Sequence, residues 1–246
     1  MNPFFAEVIG TFILIVLGNG VVANVILKLT KGNGGGWIVI TFGWGMAVFV
    51  AVFMMGQFSG AHINPAVTLG LALTDKFAWD LVPWYIIAQL VGAFLGAVVV
   101  YIFYKNHYDQ TEDPDVIFAT FATKPAISNR FSNFFSEVFG TFVLILGVLL
   151  ISGPVFEDGS SDQINFGLGS LEALPVGFLV FSIGLSLGGT TGYAINPARD
   201  LGPRLAHFFL PIRTKGKSNW DYFLIPIIGP FVGAAFASYF YLFFVS

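Results

Sequence analysis

Six long apolar runs without Asp, Glu, Lys or Arg are the feature that most constrains this chain. A helix needs about 20 mostly apolar residues to cross a membrane, and in lipid only helices or closed barrels satisfy every backbone polar group. The composition agrees, since 56% of the 246 residues are hydrophobic and 10% are charged, against about 25% in a typical soluble domain. The sequence therefore predicts an all-α polytopic protein in a lipid bilayer, with spans within residues 8–27, 32–74, 81–104, 138–156, 173–198 and 222–246.

The two halves of the chain, about 1–118 and 130–246, resemble each other. Two segments recur in the same order: FFAEVIGTF at 4–12 and FFSEVFGTF at 134–142, then GAHINPA at 60–66 and GYAINPA at 192–198. Each half holds three spans, so the second half must enter the membrane from the opposite side. An inverted repeat of this kind places a solute site near the midplane, between the halves. We therefore predict one channel domain over residues 1–246.

Each half carries one Asn-Pro-Ala motif directly after an apolar span: Asn64, Pro65 and Ala66 in the first, and Asn196, Pro197 and Ala198 in the second. Asn is a favoured helix N-cap and Pro is favoured at the first helical position, so each motif predicts a helix start. The residues that follow are too few to cross the bilayer. We expect two re-entrant half-helices that enter from opposite sides and meet at their N-termini.

Irregular backbone at membrane depth is stable only where protein or a water-filled cavity satisfies it. We therefore expect carbonyl groups before each motif to line a pore: Gly60, Ala61, His62 and Ile63 in one loop, and Thr191, Gly192, Ala194 and Ile195 in the other. The facing helix N-termini, with roughly +0.5 charge each, would repel cations. Asn64 and Asn196 would each offer an amide donor to a passing oxygen, which interrupts proton relay.

Other residue types narrow the function. There is no Cys, and His62 has no companion at metal-ligand spacing, so we expect neither a metal nor a cofactor. The net charge of −3, without a long basic run, argues against nucleic acid, and no nucleophile–base pattern indicates an enzyme. Glu7 and Glu137 occupy matching repeat positions. We interpret them as buried supports that accept backbone N–H groups of the pore loops.

Residues 59–68, SGAHINPAVT, and 192–204, GYAINPARDLGPR, resemble the aquaporin and glycerol-facilitator family, and the likeness covers essentially the whole chain. Asp200, which follows Arg199, is similar to the glycerol-conducting branch, the aquaglyceroporins. The resemblance implies an aquaporin-like right-handed bundle of six transmembrane helices and two half-helices. It also implies a homotetramer in the plasma membrane, with a pore in each subunit and cytoplasmic termini.

The resemblance further implies the residues of the narrowest ring. By their spacing from the two motifs, Trp44, Gly184, Tyr193 and Arg199 match the family's constriction positions. Gly184 stands where water-selective members usually carry His, so it would leave room for a carbon backbone beside Trp44 and Tyr193. Arg199 would donate to hydroxyl groups. We expect passive passage of glycerol and related polyols with some water, and exclusion of ions and protons.

Alternatives stay open at this point. Glycerol facilitators commonly carry Phe at the position of Tyr193, whose hydroxyl is expected to add polarity and bulk to the ring. A channel mainly for another small neutral solute, such as an undissociated hydroxy acid, or a water-selective aquaporin would be the next choice. Outside the channel class, a proton-coupled secondary transporter would also explain the repeat and the carboxylates of Glu7 and Glu137.

The expected orientation conflicts with the distribution of basic residues. The family topology leaves only Lys76 among cytoplasmic Lys and Arg side chains. The positive-inside rule predicts the reverse. The basic residues that the family topology places outside are Lys28, Lys31, Lys105, Lys124, Arg130, Arg213, Lys215 and Lys217.

Overall fold

The computed structural model describes residues 1–151, 155–156, 164–165 and 169–245. Two 3-10 turns, Trp79–Leu81 and Gly169–Ala173, precede the fourth and eighth of its helices, and strands β1 (Val155–Phe156) and β2 (Ile164–Asn165) form an antiparallel pair. The described helices are α1 (Pro3–Ile26), α2 (Trp37–Ser59), α3 (Pro65–Leu73), α4 (Val82–Phe103), α5 (Lys105–Gln110), α6 (Pro114–Ala119), α7 (Arg130–Leu150), α8 (Leu174–Leu187), α9 (Pro197–Phe209) and α10 (Ile225–Phe244).

Five of the described helices are long and apolar enough to cross a bilayer, namely α1, α2, α4 with its preceding turn, α7 and α10. The sixth apolar helical segment, Leu171–Leu187, is shorter and contains α8. The apolar run 173–198 holds both this span and the pore loop after it, because α8 ends at Leu187 and the chain continues as an irregular loop to the second motif. The predicted span 138–156 starts late, since α7 begins at Arg130, and its residues 152–154 lie outside the described residues.

The two halves pack in the same way, and glycines make this possible. α1 lies against α4 in the first half, and α7 lies against α10 in the second. A Cβ atom at Gly92 would lie 2.2 Å from the carbonyl oxygen of Val8, and one at Gly233 would lie 2.2 Å from that of Val138. Helix backbones can approach this closely only at residues without a side chain. The repeat seen in the sequence is therefore also a repeat of helix packing.

Each half-helix is held by the opposite half of the molecule. α3, of nine residues, packs against α10, and α9, of thirteen residues, packs against α4. Neither is long enough to cross a bilayer. The prediction of an all-α membrane bundle with two half-helices is confirmed, and the exchange of half-helices between halves brings the two Asn-Pro-Ala motifs to the centre.

Candidate functional site

The two motifs start their helices with the same cap. Asn64 and Asn196 have extended backbones, and each is followed by Pro at the first helical position. The side-chain oxygen of Asn64 accepts from the N–H of Ala66 at 2.8 Å, and that of Asn196 accepts from the N–H of Ala198 at 3.0 Å. Each cap satisfies an otherwise unpaired helix donor. Asn196 also accepts from the N–H of Arg199 at 3.1 Å, which ties the start of α9 to the arginine.

The same asparagines join the two halves. The amide nitrogen of Asn64 donates to the carbonyl of Ile195 at 2.9 Å, and that of Asn196 donates to the carbonyl of Ile63 at 2.9 Å. An amide NH₂ group has two hydrogens, so each asparagine keeps one N–H for a further acceptor. Both asparagines also line the central cavity. Hydrogen bonds therefore join the two pore loops at the junction, while each asparagine still offers one N–H donor to a passing molecule.

Glu7 and Glu137 support the pore loops from behind. The carboxylate of Glu7 accepts from the backbone N–H groups of His62 at 2.9 Å and Ile63 at 2.7 Å. The carboxylate of Glu137 accepts from those of Ala194 at 3.1 Å and Ile195 at 2.9 Å. Both glutamates are fully buried, and neither lines the central cavity formed by the described residues.

These supports hold a strained backbone. Ala61, Ile63, Tyr193 and Ile195 have φ values of 46°, 45°, 38° and 42°, in the left-handed region that non-glycine residues rarely adopt. Each such residue costs of order 1–3 kcal/mol and persists only where its surroundings fix it. The hydrogen bonds from Ile63 and Ile195 to the two glutamates supply part of that constraint.

A central cavity of about 140 Å³ runs past the junction. One side is formed by the pore loops and includes six of the eight residues predicted to line the pore, namely Gly60, Ala61, His62, Ile63, Ala194 and Ile195. The opposite wall is apolar and consists of Leu14, Val48, Val52, Val67, Leu71, Leu144, Val148, Val176 and Val180. Gly192 lines a separate outer cavity of about 440 Å³, and Thr191 lines neither of the two. The path is thus polar on one side and apolar on the other.

Trp44, Tyr193 and Arg199 line both cavities and therefore separate them. The guanidinium carbon of Arg199 lies 4.0 Å from the centre of the Trp44 ring, within the range of a cation–π contact. Arg199 is 8% exposed, and its side chain makes no hydrogen bond or ion pair with the described residues. Its five N–H donors are thus left for a molecule in the path.

Gly184 is placed differently from the expectation. It lines neither cavity, and a Cβ atom built on it would lie 2.8 Å from Cζ of Tyr193 and 2.9 Å from its hydroxyl oxygen. The space that Gly184 leaves therefore holds the tyrosine rather than a solute. The Tyr193 hydroxyl is buried there and has no hydrogen-bond partner among the described residues. The Tyr193 hydroxyl, which is expected from the sequence to add polarity to the constriction, thus points away from the path.

Asp200 works with a residue that the sequence reasoning missed, Arg204. Both are fully buried, and Asp200 accepts from Nε of Arg204 at 2.8 Å and from the backbone N–H of Thr123 at 2.8 Å. Arg204 donates further to the carbonyls of Thr123, Ser218 and Asn219 at 2.9–3.0 Å. The pair fastens the loops before α7 and after α9 to the second half-helix. The only signal in the sequence is the spacing of four residues between Asp200 and Arg204, which places them on one helix face.

His62 lines the central cavity and also packs within the first pore loop. Its Nδ1 lies 3.1 Å from the hydroxyl of Thr68, and its ring lies 4.5 Å from that of Phe77 and 4.8 Å from that of Tyr85, between centroids. This surrounding explains why a histidine without metal-ligand companions is buried in the first pore loop. Its role is to fix the loop against α3.

The profile of the family described as Major intrinsic protein matches residues 1–241. The chain belongs to this family. It is 54% identical over 233 residues to a protein of Thermotoga maritima named probable glycerol uptake facilitator protein, with 95% of each chain covered. It is 41% identical to a protein of Lactiplantibacillus plantarum named D/L-lactic acid transporter, with 98% of this chain and 96% of that one covered. The X-ray structure of the aquaglyceroporin from Plasmodium falciparum matches it with a TM-score of 0.79 at 32% identity, with 97% of this chain and 93% of that one covered.

Membership of the major intrinsic protein family confirms the resemblance found in the sequence. Family membership also confirms that the chain is a multi-pass membrane transport protein and not an enzyme.

Proposed function

We propose that the chain is a passive channel for small uncharged solutes, chiefly glycerol and related polyols with some water. The observation that carries the proposal is the constriction. There, Arg199 presents unpaired N–H donors while lying 4.0 Å from the Trp44 ring, and Tyr193 lines the same constriction. A polyol has hydroxyl groups on one side and C–H groups on the other, so its hydroxyl oxygens can accept from Arg199 while its carbons pack on the two aromatic rings.

The central cavity continues the same arrangement. Its apolar wall includes Val48 and Val180, and its polar side carries the free amide hydrogens of Asn64 and Asn196. A solute that loses water on entry would recover hydrogen bonds on one side and van der Waals contact on the other. The N-termini of α3 and α9 and the charge of Arg199 give the path a positive potential, which supports exclusion of cations and protons.

The carboxylates offer no proton pathway that the described geometry supports. The carboxylates of Glu7 and Glu137 accept from backbone N–H groups of the pore loops, and Glu7 also accepts from the side chains of Ser59 and Gln89 at 2.7 Å. A proton-coupled transporter would need a titrating group that meets the solute. This favours a channel over the transporter alternative.

An undissociated hydroxy acid is the second candidate solute. The relative named D/L-lactic acid transporter is 41% identical over 98% of this chain. A neutral hydroxy acid has the size of glycerol and a similar set of donors and acceptors, so the pair Arg199 and Trp44 could accommodate it. The anion would have to leave its water for a narrow apolar cavity, which is costly.

For the assembly, we propose a homotetramer in the plasma membrane with cytoplasmic termini. The outer surface suits a lipid or subunit environment, because α4 exposes Trp84, Ile87, Val91 and Leu95 at helical spacing.

The orientation concerns the loops that carry basic residues. Three of these loops lie together on one face, since the backbone N–H of Lys28 donates to the hydroxyl of Thr111 and the hydroxyl of Thr214 donates to the carbonyl of Thr111. Labelling of single cysteines on each face would decide which face is outside.

The decisive test is solute flux in proteoliposomes. We expect wild-type protein to carry glycerol without saturation and without dependence on a pH gradient. Arg199→Met, which keeps side-chain length and removes the donors, should lower glycerol flux more than water flux. Glycerol flux that requires a proton gradient would overturn the proposal in favour of a transporter. A faster flux of lactic acid than of glycerol at low pH would favour the second candidate.

A further inference from the structure

Trp37, the first residue of α2, contacts the constriction from outside. Its indole N–H donates to the carbonyl of Gly184 at 3.0 Å. Its ring meets that of Tyr193 edge-on, with centroids 5.9 Å apart and planes at 81°. This edge-to-face arrangement is a favourable aromatic geometry. Trp37 also lines the outer cavity and is 41% exposed.

The other side of the Tyr193 ring is bounded by glycines of α8 and its C-terminal cap. A Cβ atom at Gly184 would lie 2.8 Å from Cζ of Tyr193, and one at Gly188 would lie 2.4 Å from its Cδ1 and 2.9 Å from Cζ2 of Trp37. The tyrosine ring is therefore enclosed between the two glycines and the indole. The distances from Tyr193 to these two Cβ positions are shorter than a real side-chain carbon tolerates, so the tyrosine ring has no free space on the α8 side.

Packing alone fixes the direction of this ring. The hydroxyl of Tyr193 has no hydrogen-bond partner among the described residues, so no polar contact holds it in place. The glycines block movement toward α8, and Trp37 blocks movement toward the outer cavity. The bond from the indole to Gly184 in turn fixes Trp37 to the same helix that bounds the ring.

We infer that Trp37 is a positioning residue that sets the width of the constriction through Tyr193. The inference rests on the proposed channel function, in which Tyr193 forms the constriction together with Arg199 and Trp44. Without the indole, the Tyr193 ring can turn into the outer cavity of about 440 Å³, and the opening beside Arg199 widens. The consequence is a change in which solutes pass, not only in how much passes.

The test compares the permeability of a four- or five-carbon polyol with that of glycerol in the same proteoliposomes. Trp37→Ala should raise this ratio by roughly fivefold, a barrier change of about 1 kcal/mol. Trp37→Phe keeps an aromatic edge and loses the N–H donor, and it should raise the ratio by about twofold. The matched control is Trp84→Phe, since Trp84 lies on α4 and is 59% exposed; its ratio should equal that of the wild type.

A double substitution separates positioning from direct contact with solute. In a Tyr193→Ala background, Trp37→Phe should leave the ratio unchanged, because the ring through which it acts is gone. An equal effect in both backgrounds would overturn the inference, as would Trp37→Phe and Trp37→Ala ratios that match Trp84→Phe. Failure of the wild type to carry glycerol would instead overturn the proposed function, so the two failures are distinguishable.

Discussion

The ring of Tyr193 lies directly against the backbone of Gly184, where a Cβ atom would come within 2.8 Å of Cζ and 2.9 Å of the hydroxyl oxygen. The width of the proposed constriction therefore depends on a missing methyl group on α8. Because the ring occupies this space, a larger residue at position 184 acts on the pore indirectly, by displacing Tyr193.

Gly184→Ala should narrow the pore for glycerol more than for water. The added methyl would meet both Tyr193 and Thr41 Cγ2, the latter at 2.9 Å. We expect the Tyr193 ring to move, and its free direction is the path. We expect glycerol permeability to fall by roughly tenfold, a barrier of about 1.4 kcal/mol, with a smaller effect on water. Stopped-flow swelling of proteoliposomes measures the permeability to both solutes.

The control for this prediction is Gly20→Ala, where a Cβ atom meets nothing within 4 Å. Equal losses for both solutes would show that Tyr193 yields in another direction.

Tyr193→Phe should leave solute selectivity almost unchanged. The hydroxyl is buried and has no partner among the described residues, so it neither touches solute nor contributes a hydrogen bond. We expect the ratio of glycerol to water flux to stay within about twofold. An unsatisfied buried hydroxyl is destabilising, so thermal unfolding in detergent should show equal or higher stability, by about 1 kcal/mol. A large shift in the flux ratio would place the hydroxyl in the path, as the sequence alone suggested.

The sequence predicts the features that recur in both halves of the chain. It does not predict side-chain positions that depend on contacts between residues far apart in the sequence. The helix caps at Asn64 and Asn196 follow from local preferences. The direction of the Tyr193 side chain does not, because it depends on the glycines of α8 and on Trp37, which lies 156 residues earlier.

Residues distant in sequence also explain the roles of the charged side chains. The sequence does not reveal what Asp200 holds in place, since its partner Thr123 lies 77 residues away. The sequence predicts irregular backbone at residues 191–195 before the second motif, and the structure adds that α8 already ends at Leu187.

Asp200→Asn should destabilise the protein strongly. It leaves the fully buried Arg204 with a neutral partner, and loss of one member of a buried pair costs about 3–5 kcal/mol. The loop that contains Thr123 loses an acceptor at the same time. Thermal unfolding in detergent measures the loss. The control is Glu112→Gln, which removes an exposed ion pair with Lys28 at 4.0 Å and should behave like the wild type, since exposed pairs contribute little. Similar stability of the two variants would mean that Asp200 is not the anchor of these loops.

A cysteine placed at Val180 should make the channel sensitive to mercurials. The chain has no Cys, so the wild type offers no thiol and should keep its full flux. Val180 is 6% exposed and belongs to the apolar wall of the central cavity, whose volume of about 140 Å³ leaves no room for both a mercury adduct and a solute. Thiolates bind such soft metals tightly. Val180→Cys should therefore lose most of its glycerol flux on treatment and regain it with excess thiol.

The comparison variant for this prediction is Val99→Cys. Val99 lies on α4, is 38% exposed on the outer surface of the helix bundle and lines neither cavity. A mercury adduct there meets lipid or a neighbouring subunit rather than solute, so flux should continue. Block of Val99→Cys to the same degree as Val180→Cys would indicate that mercury acts on the whole protein. Persistent flux through treated Val180→Cys, with labelling verified by mass, would show that solute does not pass Val180, and the proposed route along the apolar wall would have to be abandoned.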